Sequence, residues 1–144
     1  MIVKMKSYRT TKGKLYNLVK PMGNTEFSGM INPIIADNRN IEIDQAKKEV
    51  FLQSKEVIAF LTKIGLDTVG YGKLLVFDAL RTKKETVQLR LPYLSTKEFR
   101  ATINPIISEN RDMKPIKAKF RRYLLPIELI AFLNEIGENI TIDH

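Results

Sequence analysis

A five-residue stretch occurs twice in this chain. Ile31-Asn32-Pro33-Ile34-Ile35 returns as Ile103-Asn104-Pro105-Ile106-Ile107, 72 positions later. At the same offset Ala59-Phe60-Leu61 returns as Ala131-Phe132-Leu133, and Ile64-Gly65 as Ile136-Gly137. With no gap, 19 of the 40 positions from Glu26 to Gly65 are identical to their partners in Glu98 to Gly137. The 144 residues therefore read as a tandem duplication of a 72-residue unit, with the first unit at 1–72 and the second at 73–144. The link through Tyr71-Gly72 is too short for widely separated domains. The expectation is one compact domain in which the units pack about a pseudo-two-fold axis, a monomer with an internal pseudo-dimer.

Each unit reads as a β-hairpin, a proline bend, a strand and one short helix. In the first, Ile2 to Tyr8 and Leu15 to Val19 are the hairpin strands, and Arg9-Thr10-Thr11-Lys12-Gly13 is their turn. Pro21-Met22-Gly23-Asn24 breaks the strand. Pro33 pushes Asn32 toward extended geometry, and Asp37-Asn38-Arg39-Asn40 is a loop of turn formers. Ile41-Glu42-Ile43-Asp44 alternates as a strand. A helix follows from Lys55 under a Ser54 cap, with Val57, Ile58, Phe60, Leu61 and Ile64 on its apolar face. Gly65 suits its left-handed C′ position.

In the second unit, Lys73 to Leu80 is nearly continuous in apolar residues and is expected to lie deeper in the sheet than its counterpart. Arg81-Thr82-Lys83-Lys84 is the turn, and Val87, Leu89 and Leu91 alternate as the returning strand. Ser95 and Glu98 have capping-box spacing. Pro115 argues against a long helix, and Ile116, Ala118 and Phe120 alternate with Lys117, Lys119 and Arg121 as a strand with one basic face. By comparison, Asp44 to Val50 reads as extended too. Pro126 suits the first turn of the last helix. Leu129, Ile130, Leu133 and Ile136 face the core, Gly137 ends the helix, and Ile140-Thr141-Ile142 is a terminal strand. The fold class is α+β, with each unit covering the other's sheet.

Chemistry-bearing residues are sparse. There is no cysteine, which excludes disulfides, thiolate metal sites and thiol nucleophiles and fits a cytoplasmic location. No apolar run is long enough to span a membrane, so no membrane partner is expected, and the first residues lack the apolar core of a signal peptide. His144, the one histidine, ends the sequence and makes a poor general base. Glu42 and Asp44 share a strand face, but their counterparts are Lys114 and Ile116, so solvated charge explains them better than a cation site. Glu56 and Glu128 fall in the first turn of each last helix, where the positive helix end favours them. No phosphate-loop, zinc-helix or nucleophile-elbow motif is present. No metal, cofactor or catalytic residue is expected. Asn38-Arg39 and Asn110-Arg111 are repeated beside the proline motif; they read as structural ties to a carbonyl or carboxylate, or alternatively as ligand contacts.

The net charge is +8, shared as +4 in residues 1–72 and +4 in 73–144. No acidic residue precedes Glu26, while Lys4, Lys6, Arg9, Lys12, Lys14 and Lys20 do. The turns at Arg9 to Lys12 and Arg81 to Lys84 are duplicated basic hairpins. With the strand Lys117-Lys119-Arg121 they suit phosphate contact. The excess of lysine over arginine fits nonspecific contact better than base reading. Tyr8, Tyr16, Tyr93 and Tyr123 lie near basic residues and suit base stacking, although Tyr123 matches Phe51 and also reads as core. The reading is a basic, non-enzymatic nucleic-acid-binding or regulatory protein, DNA or RNA, with candidate contacts Lys4, Lys6, Arg9, Lys12, Lys14, Arg81, Lys83, Lys84, Lys117, Lys119 and Arg121. The alternative is a protein-interaction module, an inhibitor or assembly factor docking through a sheet edge or helix face.

Overall fold

The computed structural model describes residues 1–19, 22–68 and 71–143 and is a mixture of helix and sheet, α+β in class. Lys20, Pro21, the Val69-Gly70 part of the link and His144 lie outside the described residues. The chain divides into two compact units. One is Tyr8–Gly72, here the N-terminal unit; the other joins Met1–Ser7 to the chain from Lys73 onward, here the C-terminal unit. Charge is uneven across this division. Residues 8–72 carry 9 basic and 7 acidic side chains, and the rest carry 15 and 9.

The first strand, β1 (Ile2–Ser7), thus leaves its sequence neighbours. Val3 and Met5 are apolar at alternate positions and are buried, with Ser7 following on the same face. No hairpin returns from it. Leu15 to Val19, expected as its partner, lies largely within helix α1 (Lys12–Leu18), which follows the two-residue strand β2 (Thr10–Thr11). Thr11 caps α1 by accepting from the Lys14 N–H at 3.2 Å.

The next helix, α2 (Asn24–Arg39), runs straight through the expected proline bend and most of the expected loop. Pro33 removes one helical hydrogen bond and costs about 3 kcal/mol. Phe27, Ile31 and Ile35, spaced at four residues, are all buried, so tertiary packing outweighs that penalty. Pro33 itself faces solvent. Asn40 ends α2 in the left-handed region, at φ 54°. The expected strands at Ile41 to Asp44 and Asp44 to Val50 are replaced by α3 (Ile43–Lys48), of which only Ala46 is buried. A short strand β3 (Phe51–Leu52) pairs with β2, placing Thr11 opposite Phe51. Helix α4 (Ser54–Lys63) follows, with Gln53 rather than Ser54 as N-cap, and Gly65 has a positive φ of 80°. The core of the unit centres on Leu15, Phe27, Ile31, Ile35, Leu52 and Phe60.

In the C-terminal unit, β4 (Lys73–Asp78) is an edge strand and β1 is the centre of a three-stranded sheet ordered β4-β1-β5, with β5 at Ile140–Asp143. The expectation that Lys73 to Leu80 lies deeper than its counterpart is therefore reversed. Leu74 is 63% exposed, because its side of the sheet is the outer one. The alternation read as a strand over Val87, Leu89 and Leu91 is helix α5 (Lys84–Arg90); Val87 and Leu91 are buried one turn apart, while Leu89 points to solvent. Helix α6 (Thr96–Arg111) passes through Pro105 as α2 passes through Pro33, and Ser95 caps it by accepting from the Glu98 N–H at 3.1 Å. The basic strand over Ile116 to Arg121 is instead a one-turn helix α7 (Pro115–Ala118) and an open turn, because only Ala118 of its apolar residues is buried. Helix α8 (Pro126–Glu135) starts on Pro126 and buries Leu129, Phe132 and Leu133.

Strand β1 pairs antiparallel with β4, with Lys4 opposite Val76. These two positions are themselves 72 apart. Val3 opposite Phe77 and Met5 opposite Leu75 consequently exchange under the same offset. A strand pair with this register has a local two-fold centred between Lys4 and Val76.

Candidate nucleic-acid interface

Lys84 opens α5 with its ammonium turned inward. It donates to Asn104 Oδ1 at 2.8 Å, to the Ala118 carbonyl at 3.0 Å and to the Lys119 carbonyl at 3.5 Å. In the N-terminal unit Lys12 does the same at Asn32 Oδ1 (2.8 Å), the Ala46 carbonyl (2.9 Å) and the Lys47 carbonyl (3.4 Å). An ammonium has three donors, and each lysine directs them all at the protein. Both pKa values are lowered, first by burial; for Lys84, Arg111 and Arg100 add to the effect. Lys12 and Lys84, read from the sequence as phosphate contacts, are clamps joining three helices in each unit.

Asn38-Arg39 and Asn110-Arg111 sit at the C-terminal ends of α2 and α6 rather than in loops. Glu128, fully buried, receives Arg111 Nε at 2.9 Å and Nη2 at 2.8 Å, Asn110 Nδ2 at 2.9 Å and the Leu125 N–H at 2.8 Å. Glu56 receives Arg39 Nε at 2.8 Å and Nη2 at 2.8 Å, Asn38 Nδ2 at 3.0 Å and the Gln53 N–H at 2.8 Å. Each arginine also reaches a backbone carbonyl, Phe51 at 2.8 Å and Tyr123 at 2.9 Å. Burial is the largest influence on Glu128 and opposes its charge, but the bonds from Arg111, Leu125 N–H and Asn110 together hold its carboxyl below the ordinary value. The geometry makes these four residues structural ties.

The remaining predicted contacts are scattered. Lys4 lies on the outer face of the sheet, 3.0 Å from Asp143. Lys6 is half-buried on β1 and Lys14 exposed on α1. Arg9 is only 9% exposed, so it does not project from a basic turn. Arg81 is exposed in the turn after β4, apart from the cluster formed by Lys83, Lys84, Lys119 and Arg121. These last four do converge, and with them lie Tyr123, read from the sequence either as a stacking residue or as core, and Arg122 and Phe120, which sequence reasoning had not selected as contacts.

The cluster is a ridge. Lys119 to Tyr123 are all exposed, Phe120 by 73% and Tyr123 by 58%. Lys119 Nζ lies 5.2 Å from the Phe120 ring centroid, and Lys83 Nζ 5.5 Å from that of Tyr123. Lys117 is exposed on α7, just ahead of the ridge. Among the described residues no ion pair engages Lys117, Arg121 or Arg122. The backbone beneath is pinned: the Lys84 N–H donates to the Arg122 carbonyl at 2.8 Å and the Leu124 N–H to the Thr82 carbonyl at 3.0 Å. A pocket of about 590 Å³ opens along the ridge, and another of about 370 Å³ adjoins it between α5, α6 and Phe120. The signal in the sequence was the run Lys119-Phe120-Arg121-Arg122-Tyr123; reading Ile116 to Arg121 as a strand put Phe120 on the face opposite the basic side chains.

Among the described residues no group of three or more acidic or histidine side chains is placed to hold a metal ion, and no helix is long and apolar enough to cross a membrane. No family model, curated protein or solved structure matches this chain.

Proposed function

We propose that the chain is a non-enzymatic nucleic-acid-binding protein whose contact surface is the ridge from Lys119 to Tyr123, with Lys117 just ahead of it. The observation that carries this reading is the juxtaposition of Lys83, Lys119, Arg121 and Arg122 with two exposed rings on a pinned backbone. Cations without carboxylate partners attract phosphates and release counterions, and exposed aromatics beside them supply base contact. The duplicated basic hairpins give way to a single surface in the C-terminal unit. Binding to nucleic acid, measured by fluorescence anisotropy, should weaken steeply with salt. With four phosphates neutralised, log K falls by roughly 3 per tenfold rise in salt. Absence of binding at low salt contradicts the proposal.

The chain is, on the same reading, a tandem duplication of one unit. Helices α2 and α6 start and end 72 positions apart, both lysine clamps and both arginine–glutamate ties recur at that offset, and β1 pairs with β4 in a register that exchanges equivalent residues. Residues 73–144 expressed alone should dimerise, β4 pairing with β4 about Val76. A monomeric fragment contradicts this.

A second reading, docking of a protein partner on the outer face of the sheet, draws on Leu74 and Val76, both exposed on edge strand β4. Loss of a co-purifying protein on Leu74→Lys, with nucleic-acid binding absent, would favour it.

A further inference from the structure

We infer that the ligand of the ridge is single-stranded nucleic acid, with unpaired bases stacked on Phe120 and Tyr123. This rests on the nucleic-acid reading and deepens it. Phe120 is more exposed than any other large hydrophobic side chain among the described residues, and it stands between Lys119 and Arg121. A ring so placed contributes little core packing; the Lys119 ammonium lies over it at 5.2 Å, and most of the side chain remains exposed to a flat partner. In a duplex the base faces are already covered by neighbouring pairs, so an exposed ring on a short turn gains nothing from them. In a single strand every base offers a face, and stacking on an aromatic side chain is independent of its identity.

The cations are placed to match. Each ring has an ammonium over it, Lys119 over Phe120 at 5.2 Å and Lys83 over Tyr123 at 5.5 Å, so positive charge stands next to each candidate stacking surface. Arg121 and Arg122 fill the interval between the rings, so base contact and phosphate contact alternate along the turn. The pocket of about 370 Å³ under Phe120 is lined by Phe99 and Ile103 as well as Glu85, Gln88 and Asn104. Its apolar wall suits an aromatic base, Glu85 supplies an acceptor for an exocyclic amino group, and Arg100 and Lys119 on the same lining add positive charge. Rigidity favours the arrangement. Lys84, Thr82 and Arg111 pin the backbone on either side of the rings, so little ordering is lost on binding.

The N-terminal unit provides an internal contrast. At the positions 72 before Phe120, Arg121 and Arg122 stand Lys48, Glu49 and Val50, and Glu49 pairs with Arg39 at 3.2 Å. The frame is the same, and Phe51 stands for Tyr123 and Lys47 for Lys119, but the ring of Phe120 and the cations of Lys83, Arg121 and Arg122 have no counterpart.

The test compares a labelled mixed-sequence single-stranded 12-mer, as DNA and as RNA, with the corresponding duplexes at low salt, using the full chain. The expected result is tighter binding of a single strand than of its duplex. Phe120→Ala should weaken the single-strand complex about 5- to 100-fold while leaving duplex binding unchanged. Because the chain contains no tryptophan, Phe120→Trp introduces a single indole emitter at the ridge, and its fluorescence should be quenched as bases stack on it. Duplex binding equal to or tighter than single-strand binding, with no effect of Phe120→Ala and no indole quenching, overturns the inference and leaves the nucleic-acid reading intact. Binding to neither form overturns both.

Discussion

The turn after the one-turn helix divides the two units more sharply than any element around it. In the N-terminal unit the equivalent segment is the end of α3, the link after it and the start of β3, Lys47-Lys48-Glu49-Val50-Phe51, and in the C-terminal unit it is the turn after α7, Lys119-Phe120-Arg121-Arg122-Tyr123. Beneath both turns lies the same frame. A lysine ammonium holds two carbonyls and an asparagine, an arginine grips a buried glutamate, and two phenylalanine rings meet edge to face: Phe27 with Phe60 and Phe99 with Phe132, each pair with centroids 5.2 Å apart and planes at 77°. The frame constrains only side chains that point inward. Those that point outward are free to differ, and on the proposed function their charge and aromaticity decide whether a unit offers a ligand surface. The comparison therefore separates what folds the unit from what the unit does.

The largest expected effect tests the shared frame. Arg111→Ala leaves the Glu128 carboxylate buried without its main partner and should cost about 3–5 kcal/mol in denaturant unfolding, with Arg39→Ala costing a similar amount through Glu56. A large loss from one and a negligible loss from the other would break the equivalence of the frames. Glu128 also gives the comparison a pH signature. Its folded pKa is depressed, so the stabilisation is present above the unfolded carboxylate pKa and is lost as pH falls through the lower folded value. Glu128→Gln should therefore flatten the acid limb of the stability–pH profile.

Lys84→Met keeps the apolar stem but removes all three donors, stranding carbonyls on α7 and the turn. It should destabilise by about 1–3 kcal/mol and, because it unpins the ridge, weaken nucleic-acid binding. Lys12→Met should cost similar stability with little effect on binding. Equal losses of binding would show that the ridge is not the distinguishing surface.

The smallest effect concerns local helix quality. Gly29 lies inside α2 with open space where a Cβ would stand, and the position 72 later in α6 is Ala101. Gly29→Ala should stabilise the protein by about 0.5–1 kcal/mol, measured as a shift in unfolding midpoint at constant m-value. Destabilisation would mean that α2 needs its glycine.

Strands β1, β4 and β5, the last helix of each unit and both glycine stops were legible because alternation, four-residue spacing and left-handed caps are local signals. Most other elements were not. Pro33 and Pro105 argue for a bend by local sterics, but Phe27, Ile31 and Ile35, and Phe99, Ile103 and Ile107, bury one helix face and override it. The alternation of Ile116, Ala118 and Phe120 mimics a strand because a one-turn helix is too short to display its own period. The pairing of β1 with β4 and β5 is a tertiary fact, invisible to any window that sees β1 beside Leu15. For the candidate surface, basic residues near Lys119 were visible in the sequence, but their count could not tell the inward ammonium of Lys84 from the outward one of Lys119.

The account is tested most directly by reversing charge on one turn at a time. Arg121→Glu with Arg122→Glu in the C-terminal unit, and Lys47→Glu with Lys48→Glu in the N-terminal unit, change the net charge equally on exposed side chains. Affinity for a labelled single strand is then measured by anisotropy across a salt series. The C-terminal pair should lose more than about tenfold in affinity at low salt and flatten the salt slope by about one to two phosphates, while the N-terminal pair stays within about twofold to threefold of the parent. Equal losses from the two pairs would contradict a localised ridge and leave only the general attraction of a basic protein.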